Sequence, residues 1–159
     1  MGARGEALAK QFEAKAQDAA AVLEKLSDID WKKVTEAEKW SVGVTAHHLA
    51  GSYERVPDIA AALAAGQSFG NFSRKMLDEG NAQHAKDFAG CTREETLALH
   101  RKGAAKAASA VRGFSDEQLE TQGVLFADAP PMTVEQLIMG ALIVHTDEHY
   151  GSIRKTVGT

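Results

Sequence analysis

The sequence predicts an all-α protein, a four-helix bundle. Three observations carry that prediction. Four long segments repeat apolar residues at steps of three and four, the spacing of one helical face. No stretch alternates for long enough to demand a sheet. The 159 residues are rich in alanine and glycine but hold only three prolines and 6% aromatic residues, which suits closely packed helices. Four amphipathic helices bury their stripes most simply against one another. A chain of this length can bury a sizeable core without staples, so residues 1–159 are read as a single domain.

The first helix spans about Ala3 to Leu26, with Leu8, Phe12, Ala16, Ala19, Leu23 and Leu26 on one face. It ends in the Ser27-Asp28-Ile29-Asp30 turn. Trp31 to Lys39 is a charged connector with room for one short turn, because Thr35 and Glu38 have capping-box spacing. Ser41 caps the second helix, whose stripe is Val42, Ala46, Leu49, Tyr53 and Val56. Pro57 is expected to bend or end it, with helix resuming from Asp58 to Ala65. Gly66 to Phe72 is a loop, and Ser73 to Phe88 a shorter helix interrupted near Gly80. Thr92 and Glu95 form a capping box for the third long helix, which runs to Gly113. Ser115 and Gln118 mark one more turn, and Gly123 to Met132 is irregular, with Pro130-Pro131 forbidding helix. Thr133 and Gln136 then cap the last helix, Val134 to Val157.

Charge and composition narrow the function classes. A net charge of −4 supplies no basic field for nucleic acid. The lone Cys91 excludes an internal disulfide and a cysteine-rich zinc site. The N-terminal residues lack a signal peptide's apolar core, Glu6 stands where myristoylation wants Ser or Thr, and no apolar run is long enough for a bilayer. The expectation is a cytoplasmic protein without nucleic-acid or membrane partners.

Chemistry concentrates in Val144-His145-Thr146-Asp147-Glu148-His149-Tyr150-Gly151-Ser152-Ile153-Arg154. On a helix His145 and His149 project from one face, beside Ile138, Ala141, Leu142 and Ile153. Two imidazoles on a core-facing stripe need partners, and a divalent metal is one. Carbonyls across the core are another, and the pair alone does not choose between them. Helix two offers His47 and His48, about 100° apart on the wheel, with His48 slightly nearer the apolar stripe. His100 lies on the apolar side of helix three and competes by pattern. His84 is read as a surface residue or one lying behind the site. Cys91 is read as a small loop residue rather than a nucleophile, with Arg93 the only well-placed cationic residue flanking it.

His145-Thr146-Asp147-Glu148-His149 also fits the H-x-x-E-H pattern of inverzincin peptidases. Too little chain follows His149 to supply their further ligand, and the mixed sheet is missing, so that reading is rejected. Glu148 is read as a carboxylate lying behind the ligands or at the solvent edge, with Asp147 and Tyr150 turned away from the histidines.

Trp40-Ser41-Val42 followed by His48-Leu49-Ala50 resembles the first signature of DinB-like proteins. His145-(x)3-His149-x-Gly151-Ser152-Ile153, with Arg154 after it, resembles the second, and Asn81-Ala82-Gln83-His84-Ala85 resembles the family's middle segment. The resemblance covers nearly the whole chain. It implies an up-down-down-up bundle with a long crossover over Gly66 to Gly90, and a metal held by His48, His145 and His149. The sequence departs from the pattern at Ser152, where glutamine is usual, and at Val42-Gly43-Val44, where proline or acidic residues often follow Trp-Ser.

Three neutral imidazoles suit zinc or nickel and tolerate manganese, iron or cobalt, with further positions free for water or substrate. Similarity to mycothiol-dependent maleylpyruvate isomerases and bacillithiol transferases implies a low-molecular-weight thiol attacking a small electrophile. Water activation, giving a hydrolase, is the alternative chemistry, and a metal-stabilised binding module the alternative without catalysis. The resemblance also implies a homodimer, to which the sequence adds the small residues Ala61, Ala62, Ala64 and Ala65.

Overall fold

A computed structural model describes residues 2–159. Three long helices, α1 (Ala3–Lys25), α3 (Val42–Ala64) and α5 (Arg93–Gly113), form the bundle with a composite C-terminal helix. That last rod is α7 (Val134–Ile138), a π-helical segment (Met139–Val144) and α8 (His145–Val157). Shorter helices decorate the connections: α2 (Asp28–Lys32), α4 (Arg74–Asp87) and α6 (Asp116–Glu120). Two strands of two residues, β1 (Gln122–Gly123) and β2 (Met132–Thr133), pair antiparallel and close the loop ahead of α7.

Side-chain pairs fix the direction of each rod. His100 meets Ala16 while Arg112 meets Glu6, so α5 runs against α1. A methyl on Gly103 would meet Ala50 and Tyr53, and Lys106 reaches Asp58, so α3 and α5 run parallel. Tyr53 bonds Thr146 while His48 meets His145 and lies against His149, so α8 opposes α3. Arg4 pairs with Glu135 and Lys15 with Asp147, which sets the last rod parallel to α1. The order is up-down-down-up. Parallel neighbours need a long return, and the crossover carrying α4 supplies it.

Local chemistry starts and stops these helices where the sequence requires. The hydroxyls of Ser27, Ser41, Ser73, Thr92, Ser115 and Thr133 each accept from the backbone N–H three residues on. Each such cap is worth about 1 kcal/mol. Thr92–Glu95, Ser115–Gln118 and Thr133–Gln136 complete reciprocal boxes. Leu8, Phe12, Leu23, Leu49, Tyr53, Ile138, Leu142 and Ile153 are buried in the centre, with Phe12 edge-on to Tyr53 at 4.9 Å. Removing one such side chain from water contributes about 1.5–3 kcal/mol.

Three local expectations are corrected. Helix α3 does not end at Pro57 but continues to Ala64, with Val56 and Ala60 buried on either side of the proline. Helix α4 passes through Gly80 unbroken; a glycine in a solvent-exposed helix costs only about 1 kcal/mol, too little to break it. The last helix is not α throughout, since Met139–Val144 adopts the wider π winding.

Candidate metal centre

The site forms where α3 and α8 face each other, roofed by the turn that leads into α3. Ser41 caps α3 through the Val44 N–H at 3.0 Å, which fixes where the helix starts and so where His48 points. His48 is buried, with Trp40 edge-on to its ring at 5.3 Å. On α8, His145 and His149 stand one turn apart and project together. The Nε2 atoms of His48 and His145 lie 3.2 Å apart, and those of His145 and His149 2.8 Å. Among the described residues these three form one group whose ligating atoms all lie within 4.8 Å of one another.

The π segment is the local device behind this aim. The N–H of His145 reaches back to the carbonyl of Gly140, five residues earlier. Thr146, next along, donates to the Leu142 carbonyl at 2.6 Å and is bonded by the Tyr53 hydroxyl, also at 2.6 Å. π segments occur often at functional sites because they re-aim side chains.

Glu38 completes the site from the connector. Its Oε1 accepts from Nδ1 of His149 at 2.8 Å, and its Oε2 from the Ser152 hydroxyl at 2.6 Å. Burial raises the carboxyl's pKa, but hydrogen bonds from Ser152, Thr35 and His149 outweigh this and hold it below the ordinary value. Lys39, between Glu38 and Trp40, has φ of 62°, in the left-handed region. A non-glycine residue there costs about 1–2 kcal/mol. The site contacts of Glu38 and Trp40, on either side of it, offset that cost.

Proton bookkeeping tests the fit to a cation. With Nδ1 of His149 donating to Glu38, its Nε2 is a bare acceptor in the neutral ring. His145 Nε2 faces both this atom and His48 Nε2, so a single proton would have to serve two contacts. A cation satisfies all three lone pairs at once. Nitrogens bound at 2.0–2.1 Å around a tetrahedral ion sit about 3.3 Å apart, close to the separations here. A proton is a poor substitute. Burial, then the charges of His149 and His145, push His48 down to about 3, and burial with His149 takes His145 to about 4. His48 and His145 are therefore neutral at pH 7, the form that ligates metals.

The other sequence candidates fall elsewhere. His100 is buried on α5, its Nε2 bonded to the Ala16 carbonyl at 2.8 Å and its ring packed between Tyr53 and Tyr150. It is a core histidine with a backbone partner. His47 is only half-buried, but it is not simply a solvent-facing residue. Its Nδ1 meets Nε2 of His84 at 2.8 Å and its ring stacks on Phe88 at 4.1 Å. His84 thereby comes within 5.8 Å of the His48 ring, behind the cluster. Cys91 is half-buried at the foot of α5, its carbonyl accepts from Trp31, and burial raises its thiol pKa, so it is not activated. Glu148 and Arg154 are exposed. Sequence reasoning misses Glu38 as a site residue; its capping-box spacing with Thr35 explains the carboxylate locally, whereas in the structure it also binds His149 and Ser152.

An up-down-down-up bundle carrying three converging imidazoles between facing helices defines a class of protein with a candidate metal site. The sequence profile described as the DinB superfamily matches residues 11–153. The chain belongs to that superfamily. No curated protein matches it. No helix among the described residues is long and apolar enough to cross a membrane.

Proposed function

We propose that the Nε2 atoms of His48, His145 and His149 hold a divalent metal, and that the protein uses a low-molecular-weight thiol in a transferase or isomerase reaction on a small electrophile. The observation that supports this most is the convergence of three imidazoles, one of them oriented by Glu38. A divalent cation bound there would lower the pKa of a thiol or water beside it. Zinc and nickel suit three nitrogens best, with manganese, iron and cobalt tolerated.

The chain's own groups do the rest. Glu38 fixes the His149 tautomer and turns its Nε2 inward. Trp40 packs edge-on against the His48 ring and helps to hold its orientation. Cys91, with its raised pKa, is a poor nucleophile, which favours an external thiol.

The test has two stages. Elemental analysis of purified protein should find near-stoichiometric metal, lost in His48→Ala, His145→Ala or His149→Ala and kept in His47→Ala and His100→Ala. Metal-loaded protein is then incubated with reactive electrophiles, with and without bacillithiol, mycothiol, glutathione or cysteine. Thiol-dependent turnover that vanishes in His149→Ala supports the transferase. Turnover without thiol makes the protein a hydrolase, and none across a broad panel makes it a metal-stabilised binding module. The assembly proposed is a homodimer acting in the cytoplasm; sedimentation showing only monomer at micromolar concentration would reject the dimer.

A further inference from the structure

A cation stands beside the histidine cluster that the reading above does not use. Arg55 lies on α3, two turns beyond His48, and among the described residues its guanidinium has no carboxylate or hydrogen-bond partner. It folds back along its own helix. A methyl group built on Gly51 would stand 3.0 Å from its Nη1, so the absence of a side chain at Gly51 is what lets the guanidinium lie there. That course takes it toward His47 and His48, one turn further back. Its charge is felt across the site, contributing to the lowered pKa values of His47, His48, His84 and His145.

Among the surrounding acids, Asp58 pairs with Lys106 from α5, Asp87 accepts from Gln83, and Glu95, whose charge acts on His47, accepts from the Thr92 N–H. Glu54 stands 3.8 Å from Lys106 and keeps its other oxygen unpaired. His84, on the crossover helix, gives its Nε2 to His47, while its Nδ1 is enclosed without a partner. A buried polar atom with no partner is costly, and so is a half-enclosed guanidinium with no anion. Among the described residues, Glu38 is the one carboxylate hydrogen-bonded to the cluster, and it bonds His149 and Ser152 of α8.

We propose that Arg55, assisted by Nδ1 of His84, binds a carboxylate of the reactants beside the three-histidine cluster. The planar fork of an arginine matches a carboxylate in two parallel hydrogen bonds, which would orient the molecule as well as hold it. The carboxylate belongs either to the thiol or to the electrophile it attacks. The proposal rests on the metal-and-thiol reading for the identity of those reactants, but not for the anion site itself.

Two titrations test it. In the first, cobalt-loaded protein is titrated with mercaptoacetate and with mercaptoethanol, thiols that differ in the carboxylate, and the thiolate-to-cobalt absorption band is read. In the second, protein as purified and protein saturated with zinc are titrated with succinate by calorimetry. Both are repeated with Arg55→Met, Arg55→Lys and His84→Leu. The Arg55 side chain reaches solvent and lies outside the core, so its variants should fold, and circular dichroism checks this. A charge-assisted pair predicts roughly tenfold or greater weakening in Arg55→Met, with Arg55→Lys intermediate because it keeps the charge but loses the fork. A loss confined to mercaptoacetate puts the carboxylate on the thiol; a loss of succinate binding puts it on the electrophile. If neither thiol gives a band, the thiol reading fails and the succinate titration still decides the anion site. If Arg55→Met changes neither titration, the proposal is overturned.

Discussion

Glu38 offers the sharpest test of how the site works. Glu38→Gln preserves shape: the amide oxygen can still accept from His149, and its NH2 can face the Ser152 hydroxyl. What it removes is the negative charge behind the imidazole. Groups that orient metal-binding histidines in this way typically account for 10–100-fold in metal affinity. At 1.4 kcal/mol per tenfold, that is about 1.4–2.8 kcal/mol. A hydrogen bond to a charged group is worth about 1.5–3 kcal/mol, which gives the same scale by a separate route. Because Gln keeps the geometry, it should fall at the low end, about tenfold. Glu38→Ala leaves the His149 Nδ1 without its partner and should approach a hundredfold. Ser152→Ala removes one hydrogen bond and no charge, and should lie below both. The assay is zinc competition against a chromophoric chelator, with thermal melts of metal-free protein as the folding control. Should Glu38→Ala bind zinc within twofold of the wild type, the carboxylate does not tune the site and the reasoning fails.

Two further predictions concern the bundle. Gly103→Ala should destabilise by about 1–3 kcal/mol, since its methyl would stand 2.9 Å from the Tyr53 Cβ and 3.2 Å from the Ala50 carbonyl; an unchanged urea midpoint would contradict the close approach of α3 and α5. His100 is held neutral by burial, below its ordinary value of 6.5, so the unfolded chain takes up its proton first as pH falls. Its contribution to stability is therefore present above pH 6.5 and lost on acidification below it. Melts of metal-free protein between pH 7.5 and 5 should fall less steeply in His100→Gln, and identical slopes would rule this out.

The sequence made the bundle and the paired histidines legible because both depend on periodicity within single helices. His145 and His149 share a face by spacing alone, and the caps at Ser41, Thr92 and Thr133 are local hydrogen bonds written in adjacent residues. His48 and His47 differed only slightly on the wheel; the contact with α8 separates them. His100 sits on an apolar stripe just as a ligand would, and only the carbonyl of Ala16, far off in sequence, shows otherwise. Glu38 lies in an irregular connector and reaches His149 across the fold, where no period applies. The π winding has no residue signature here, since a run of Met, Gly, Ala, Leu, Ile and Val suits an α-helix equally well.

That winding decides where the last rod can lose a residue and keep the site. Residues 139–144 spend more backbone per turn than an α-helix, so the segment acts as an inserted step between the anchored start of the last rod and its histidines. Gly140 is exposed, and a methyl there would meet nothing within 4 Å, so substitution at that position is sterically free. Deleting the same residue is also absorbed. The wide turn takes one residue more than an α turn, so the rod would relax to α geometry with its two halves in nearly the same relative rotation. His145 and His149 would go on facing His48, and the Val134–Ile138 end would keep its place in the core. A deletion between His145 and His149 has no wide turn to absorb it and would turn one ring from the other by about 100°, one residue's share of a 3.6-residue turn.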